Sequence, residues 1–409
     1  MTAAESGWPS PADFAPPPTP GDHARWAEAD RAARPARLER LRARFAEHDV
    51  EAYFGTRREN SRYLTGFVLA DGEEKVAGHS GQFFVGREGV VVLADSRYEI
   101  QAAVEAPDAR IADAGYDLPG SWPDLVASLG AKRVAVEAGF VSHALWRRLE
   151  TAAPDVELVP VEGWVEADRA TKEPTELERI AASCAVADRA LATLLPTIVP
   201  GASERSLALE LEWLMLRNGA ETIAFDPTCL VGANAAMPHG SPSETLVERG
   251  KVVLFDFGAQ VDGYRSDMTR TLFCGEPGER DLAVYELVAA AQSAAIGQLT
   301  AALGAEIELP SGRDLEALAR GVIEGDGRWP AYRHGLGHGI GLATHEGPSL
   351  SRSALDTPLP SPTVFSVEPG IYVAGETGVR IEDLVQLDAG AGTLAFLTHF
   401  PREVLVVGG

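Results

Sequence analysis

The sequence predicts two domains of different build, an α/β unit followed by an α+β unit. Over residues 38–165, short β-branched and aromatic runs alternate with helically spaced stretches, the pattern of an α/β sheet. Beyond about residue 170, helices come together first, and strands separated by glycine turns follow them. The periodicity changes at 165–172, and 409 residues suit two domains or a little more.

The elements follow in order. Residues 1–37 open with MTAAESGWPSPADFAPPPTPGDHARW, rich in proline and small polar residues, and predict a flexible arm. The stretch has no basic start and no apolar core of a secretory signal. In 33–54, Leu38, Leu41 and Phe45 fall at helical spacing and predict an amphipathic helix running into a strand near Val50–Phe54. QFFVGREGVVVLADSRY (82–98) reads as two strands joined by a turn at Gly86–Gly89. KRVAVEAG (132–139) predicts a strand and SHALWRRLETA (142–152) a helix. At 170–195, Pro174 precedes Thr175 and Glu178 at capping-box spacing, so a long helix starts there. A second helix is expected over 203–219. The expected division is an arm at 1–37, an α/β domain at 38–168 and an α+β domain at 169–409.

Composition excludes some functions. Sixty acidic residues against 36 basic ones give a formal charge of -24, a surface that repels phosphate backbones and argues against nucleic acid. Cys184, Cys229 and Cys274 are scattered, with no CxxC pair, so neither a disulfide framework nor a thiolate metal site is expected. A reducing cytoplasm fits this usage. No run of about 18 apolar residues stands out, and no membrane partner is expected.

VVLFDFGAQVDGYRSDMTRTLF (252–273) predicts a hairpin turning at Asp262–Gly263. With that turn Val261 pairs with Tyr264, Gly258 sits opposite Asp267, and Asp256 lies on the same face, diagonal to Asp267. Gly258 would leave room between the two acids. Converging carboxylates raise each other's pKa unless a cation lies between them. Taken alone, the hairpin is equally compatible with two acids on a solvated face.

RHGLGHGIGLATHEGPSL (333–350) holds His334, His338 and His345, three of the nine histidines. His334 and His338 have the spacing of a zinc helix, but four glycines would each cost about 1 kcal/mol there. An extended strand suits them better, with both histidines on one face and glycines permitting close backbone approach. In TVFSVEPGIYV (363–373), Ser366 and Glu368 share a face. In GVRIEDLVQL (378–387), Arg380 and Glu382 share one, and a surface Arg–Glu pair explains them equally well. Together the domain offers two Asp, at least one His and two Glu at strand positions. That oxygen-rich set suits Mn²⁺ or Co²⁺ better than a structural zinc, and four carboxylates balance two divalent ions.

The ordered segments NAAMPH (234–239), FDFG…SDMTRT (255–271), HGLGHGIGLATHE (334–346), VEPGIY (367–372) and GVRIED (378–383) resemble the pita-bread metallopeptidases. The likeness is to the branch of Xaa-Pro aminopeptidases (aminopeptidase P) and Xaa-Pro dipeptidases (prolidases), and it spans 170–409. RENSRYLTGF (58–67) and VLADSRY (92–98) resemble the creatinase-like N-terminal domain of the same branch. The resemblance implies a dinuclear site of Asp256, Asp267, His338, Glu368 and Glu382, with Asp267 and Glu382 bridging. It implies two divalent ions, Mn²⁺ favoured with Co²⁺ or Zn²⁺ as alternatives, activating a hydroxide. Glu368 would move the proton, His239 and His345 would contact substrate and oxyanion, and His334, Tyr372 and Arg380 would support or bind substrate. The activity implied is a metallo-exopeptidase acting before proline, with the aminopeptidase preferred over the dipeptidase. A creatinase-like hydrolase or a non-catalytic pita-bread module is disfavoured, because all five ligand positions are filled. Relatives of this kind imply a homodimer or homotetramer.

Overall fold

The computed structural model describes residues 7–70, 72–114 and 116–408. It separates into two compact units. One is Ala24–Asp168; the other joins the described residues before Ala24 to the chain from Arg169 onward.

The expected arm is largely ordered, and its residues 1–6 lie outside the described ones. Pro20–His48 forms one helix of 29 residues with Pro35 inside it. Its start is set by Thr19: the Thr19 N–H and hydroxyl donate to the Asp22 carboxylate at 2.9 and 2.7 Å, and the Asp22 N–H returns a bond to Thr19 Oγ1 at 3.3 Å. Pro20 at the first helical position needs no donor partner. This T-P-G-D cap is a helix signal inside a segment whose composition reads as disorder. Upstream, two aromatic residues pin the proline-rich chain: Trp8 Nε1 donates to Val406 O at 2.9 Å and Phe14 stacks on Phe400.

In the smaller unit, six strands form one sheet: β1 (Ala52–Gly55), β2 (Phe83–Gly86), β3 (Val90–Leu93), β4 (Arg110–Ala112), β5 (Arg133–Glu137) and β6 (Glu157–Val161), ordered β4-β3-β2-β1-β5-β6. β1 runs antiparallel to β2 and parallel to β5. Phe54, Phe84 and Trp122 meet at ring distances of 4.7–5.3 Å and centre its core.

The larger unit carries the remaining sheets. They use β7 (Thr222–Ile223), β8 (Thr228–Val231), β9 (Lys251–Phe257), β10 (Ala259–Val261), β11 (Tyr264–Arg265), β12 (Met268–Cys274), β13 (Gly337–Gly339), β14 (Glu346–Leu350), β15 (Thr363–Val367), β16 (Gly370–Val373), β17 (Thr377–Arg380), β18 (Asp383–Asp388), β19 (Thr393–Phe396) and β20 (Val406–Val407). The sheets are β20-β12-β9-β8, β14-β13-β15-β18-β19, and the smaller β11-β10-β7 and β16-β17. The long helix starts at Pro174 as expected, but its cap lies two residues upstream of Thr175 and Glu178: the Glu176 carboxylate accepts from Glu173 N–H at 2.8 Å.

Pro174–Thr197 and Glu279–Gly304 have the length and apolar composition of a membrane span, contrary to expectation. Alanine supplies much of that composition. The first is two-thirds buried in the protein. The second buries Val284, Val288, Ala291, Ala295 and Leu299 at helical spacing, in one core cluster that also holds Leu254, Phe365, Val367 and Ile381. Each large apolar side chain enclosed this way contributes about 1.5–3 kcal/mol, which makes this core a rigid floor for β15 and β17.

Candidate metal centre and active site

The hairpin has the register its turn dictates. Asp262 and Gly263 take φ of 45° and 75°, Val261 pairs with Tyr264, and Asp256 pairs with Thr269. Asp267 therefore lies two residues from Asp256's partner, on the same face. The reading of Gly258 changes. A Cβ there would stand 1.9 Å from Ser266 O, so the glycine serves backbone approach across the hairpin rather than space between the acids.

RHGLGHGIGLATHEGPSL is extended, not helical. His338 sits in β13, which pairs with β14 through a register shift at His338/Gly339 and with β15 at Gly339↔Phe365. Such a bulge re-aims a side chain, and His338 reaches the carboxylates. A Cβ at Gly337 would meet Ser366 O at 1.9 Å, so only glycine lets β13 lie this close to the chain carrying Glu368. Gly337→Ala is expected to cost about 1–3 kcal/mol, read as a lower denaturant midpoint at unchanged slope. Wild-type stability in that variant would show that the two chains are not forced together.

Glu368 and Glu382 face each other. Val367 pairs with Asp383 and Gly370 with Arg380, so the intervening register sets 368 opposite 382. Like charges directly opposite destabilise a ladder. Nevertheless one cavity of about 570 Å³ is lined by Asp256, Asp267, Glu368 and Glu382 together with His239, His334, His338, His345 and Arg380. Phe225, Pro227, Pro238 and Pro242 line it too. Asp267, His338 and Glu382 offer ligand atoms within 4.8 Å of one another. His338 Nε2 is 3.4 Å from Glu368 Oε1 and 3.7 Å from Asp267 Oδ2. Asp256 stands outside that triple, and its Oδ2 accepts from Arg380 at 2.5 Å.

Electrostatics make the cluster costly as it stands. Burial, then Glu382 and Asp256, push Asp267 well above the usual carboxylate range. Burial, then Glu368 and Asp256, do the same to Glu382. Burial pushes Glu368 up to about 7, although Arg380 opposes it. Burial lowers His338, and holds His334 and His345 down to about 4, so all three imidazoles are neutral near pH 7. Asp256 Oδ1 and Asp267 Oδ1 are buried without a hydrogen-bond partner. Neutral imidazole, four acids and two orphaned oxygens form the donor set that hard or borderline divalent ions take.

Behind the cavity runs a hydrogen-bond chain. Arg380 Nη1 donates to the Tyr372 hydroxyl at 2.9 Å, and that hydroxyl lies 3.0 Å from His334 Nε2. Arginine has only donors, so the Tyr372 proton goes to His334 Nε2. His334 Nδ1 then carries its own proton, donated to Gly335 O at 2.7 Å. Tyr372, expected to support or bind substrate, is not among the cavity-lining residues, and its hydroxyl links Arg380 to His334. Two hydroxyls have no role assigned from the sequence, although Ser366 is placed there on the face of Glu368. Thr269 Oγ1 donates to Glu382 at 2.7 Å and accepts from Arg380 Nε at 2.9 Å; Ser366 Oγ donates to Glu368 at 3.1 Å and accepts from the His338 N–H. The signal was available, because Thr269 shares strand parity with Asp267, and Ser366 with Glu368.

The fold and this cavity define a metal-dependent hydrolase with a separate N-terminal domain. The description "Metallopeptidase family M24" matches residues 178–389, and "Creatinase/Prolidase N-terminal domain" matches 37–171. The chain belongs to metallopeptidase family M24, whose members depend on two divalent metal ions. The Xaa-Pro dipeptidase of Pyrococcus furiosus is 34% identical over 267 residues, 65% of this chain and 74% of that protein. The solved structure of an Xaa-Pro dipeptidase from Bacillus anthracis has a TM-score of 0.81 at 31% identity, covering 91% of this chain and 99% of that one. That of an X-Pro aminopeptidase from Thermotoga maritima has a TM-score of 0.76 at 33% identity, covering 88% and 98%.

Proposed function

We propose that this protein is an Xaa-Pro dipeptidase that cleaves the bond before a C-terminal proline. The carrying observation is the convergence of Asp256, Asp267, His338, Glu368 and Glu382 in one cavity with two orphaned carboxylate oxygens. The sequence alone favoured the aminopeptidase. The choice between the two rests on relatives, and the names Xaa-Pro dipeptidase of the Pyrococcus furiosus and Bacillus anthracis proteins move it to the dipeptidase.

In this reading those five residues hold two divalent ions, Mn²⁺ first among them. Bound there, the ions supply Lewis acidity and a nucleophile at neutral pH. The chain's own groups do the rest. Glu368, set by Ser366, takes a proton from the attacking water and passes it toward the departing proline nitrogen. His345, whose ring is 4.2 Å from that of His338, and His239 donate hydrogen bonds to the developing oxyanion. Arg380 holds Asp256 in place at 2.5 Å. The Xaa-Pro amide has no N–H to recognise, and Phe225, Pro227, Pro238 and Pro242 give the cavity an apolar surface that suits a proline ring. The proposed setting is the cytoplasm, in a homodimer or homotetramer.

A panel of Xaa-Pro and Xaa-Pro-Yaa peptides with Mn²⁺ tests this. Dipeptides are expected to turn over at least tenfold faster in kcat/KM. Turnover of the longer peptides alone would restore the aminopeptidase.

A further inference from the structure

Gln292 differs from its surroundings. Helix Glu279–Gly304 turns Val288, Ala291, Ala295 and Leu299 inward, and Gln292 lies among them at 4% exposure. Burying a primary amide in such company is costly unless it is hydrogen-bonded. Its Nε2 lies 3.0 Å from Val367 O, 3.3 Å from Ile381 O and 2.9 Å from Asp383 Oδ2. Val367 and Ile381 immediately precede Glu368 and Glu382.

The chain itself explains why a side chain is needed there. The Ile381 N–H donates to Pro369 O at 3.5 Å, and Gly370 pairs with Arg380. In a regular antiparallel pair residue 369 would return an N–H to Ile381 O. Residue 369 is proline and has none. Gln292 Nε2, with two protons shared among Asp383 Oδ2, Val367 O and Ile381 O, offers a donor from the helix on the side where Pro369 has none. Glu382 is also gripped on its far side: Arg270 Nη1 donates to Glu382 O at 2.6 Å, and Arg270 Nη2 to Asp383 at 2.7 Å. As a non-hydrogen-bonded antiparallel pair the two glutamates turn their N–H groups outward, Glu368 to Leu336 O and Glu382 to Thr269 O. Gln292 ties the two backbones together beside this pair, where Pro369 leaves a ladder bond unmade.

We propose that Gln292 is a positioning residue that sets the separation of Glu368 and Glu382, and thereby the affinity for the divalent ions. This rests on the metallopeptidase reading, since it needs both glutamates to be ligands.

The test uses the full-length protein stripped of metal and dialysed against Mn²⁺, with bound metal counted. Gln292→Met keeps the length and loses the donor. Its Mn²⁺ affinity is expected to fall about 10–100-fold, the usual cost of losing a group that orients ligands. Leu299→Ala, seven residues further along the same helix and so about 10 Å from Gln292 by helical rise, is the control. It is expected to melt lower while keeping wild-type Mn²⁺ affinity. Wild-type affinity in Gln292→Met would overturn the proposal. So would an equal loss in Leu299→Ala, which would make the effect one of general core loosening. Absence of Mn²⁺, Co²⁺ and Zn²⁺ binding by the wild type would overturn the reading of these five residues as metal ligands, and the proposal with it.

Discussion

Glu368→Gln is expected to lower kcat by about 10²–10⁴ while leaving the fold intact. The substitution keeps the shape and the Ser366 contact but removes the group that exchanges a proton. In the metal-free protein burial pushes Glu368 up to about 7; bound ions favour its charged form, the form that accepts a proton. An amide at this position also removes one of four crowded acids, so the metal-free protein should not melt lower than wild type. Steady-state kinetics at saturating Mn²⁺, with a melt of the same sample, check both halves. Near-normal kcat would remove Glu368 from proton transfer, and a collapsed melt would show that the side chain is structural.

Local chemistry made much of this site legible in the sequence. The Asp262–Gly263 turn fixes the hairpin, and the hairpin fixes the diagonal of Asp256 and Asp267 without reference to the rest of the chain. Glycine density excluded a helix around His338. What the sequence did not disclose depends on long-range contact. Arg380 shares strand parity with Glu382, yet it pairs with Asp256, 124 positions away. The bonds of the Tyr372 hydroxyl to Arg380 and His334 are likewise long-range and invisible in the spacing. Gly258 carried the right position and the wrong reason, because the atom that crowds it, Ser266 O, comes from across the turn. The N-terminal segment shows the converse failure. Proline content outweighed a four-residue cap at Thr19–Asp22 that nucleates a helix of 29 residues.

The stabilisation conferred by Mn²⁺ is expected to grow as pH rises from about 4.5 to 7, and the signs can be worked out group by group. Glu368 has its folded pKa raised from the ordinary 4.5 to about 7. The folded metal-free protein therefore holds a proton that the unfolded chain has released, and stability falls as pH rises between those values. A shift of that size corresponds to about 3 kcal/mol. Asp267 and Glu382 are raised as well and add the same sign. Ions among the carboxylates remove this penalty, because the charged forms are the ones they bind. His334 and His345 oppose the trend. Their folded pKa values of about 4 lie below the ordinary 6.5, so they destabilise as pH falls. Asp188, raised to about 7 by burial away from the cluster, has the sign of the acids. These three act in metal-free and metal-loaded protein alike, so the difference between the two melts cancels them to first order. Melting the protein with chelator and with excess Mn²⁺ across this range isolates the cluster. A metal increment that stays flat or shrinks with rising pH would mean that Asp267, Glu368 and Glu382 do not share the ions.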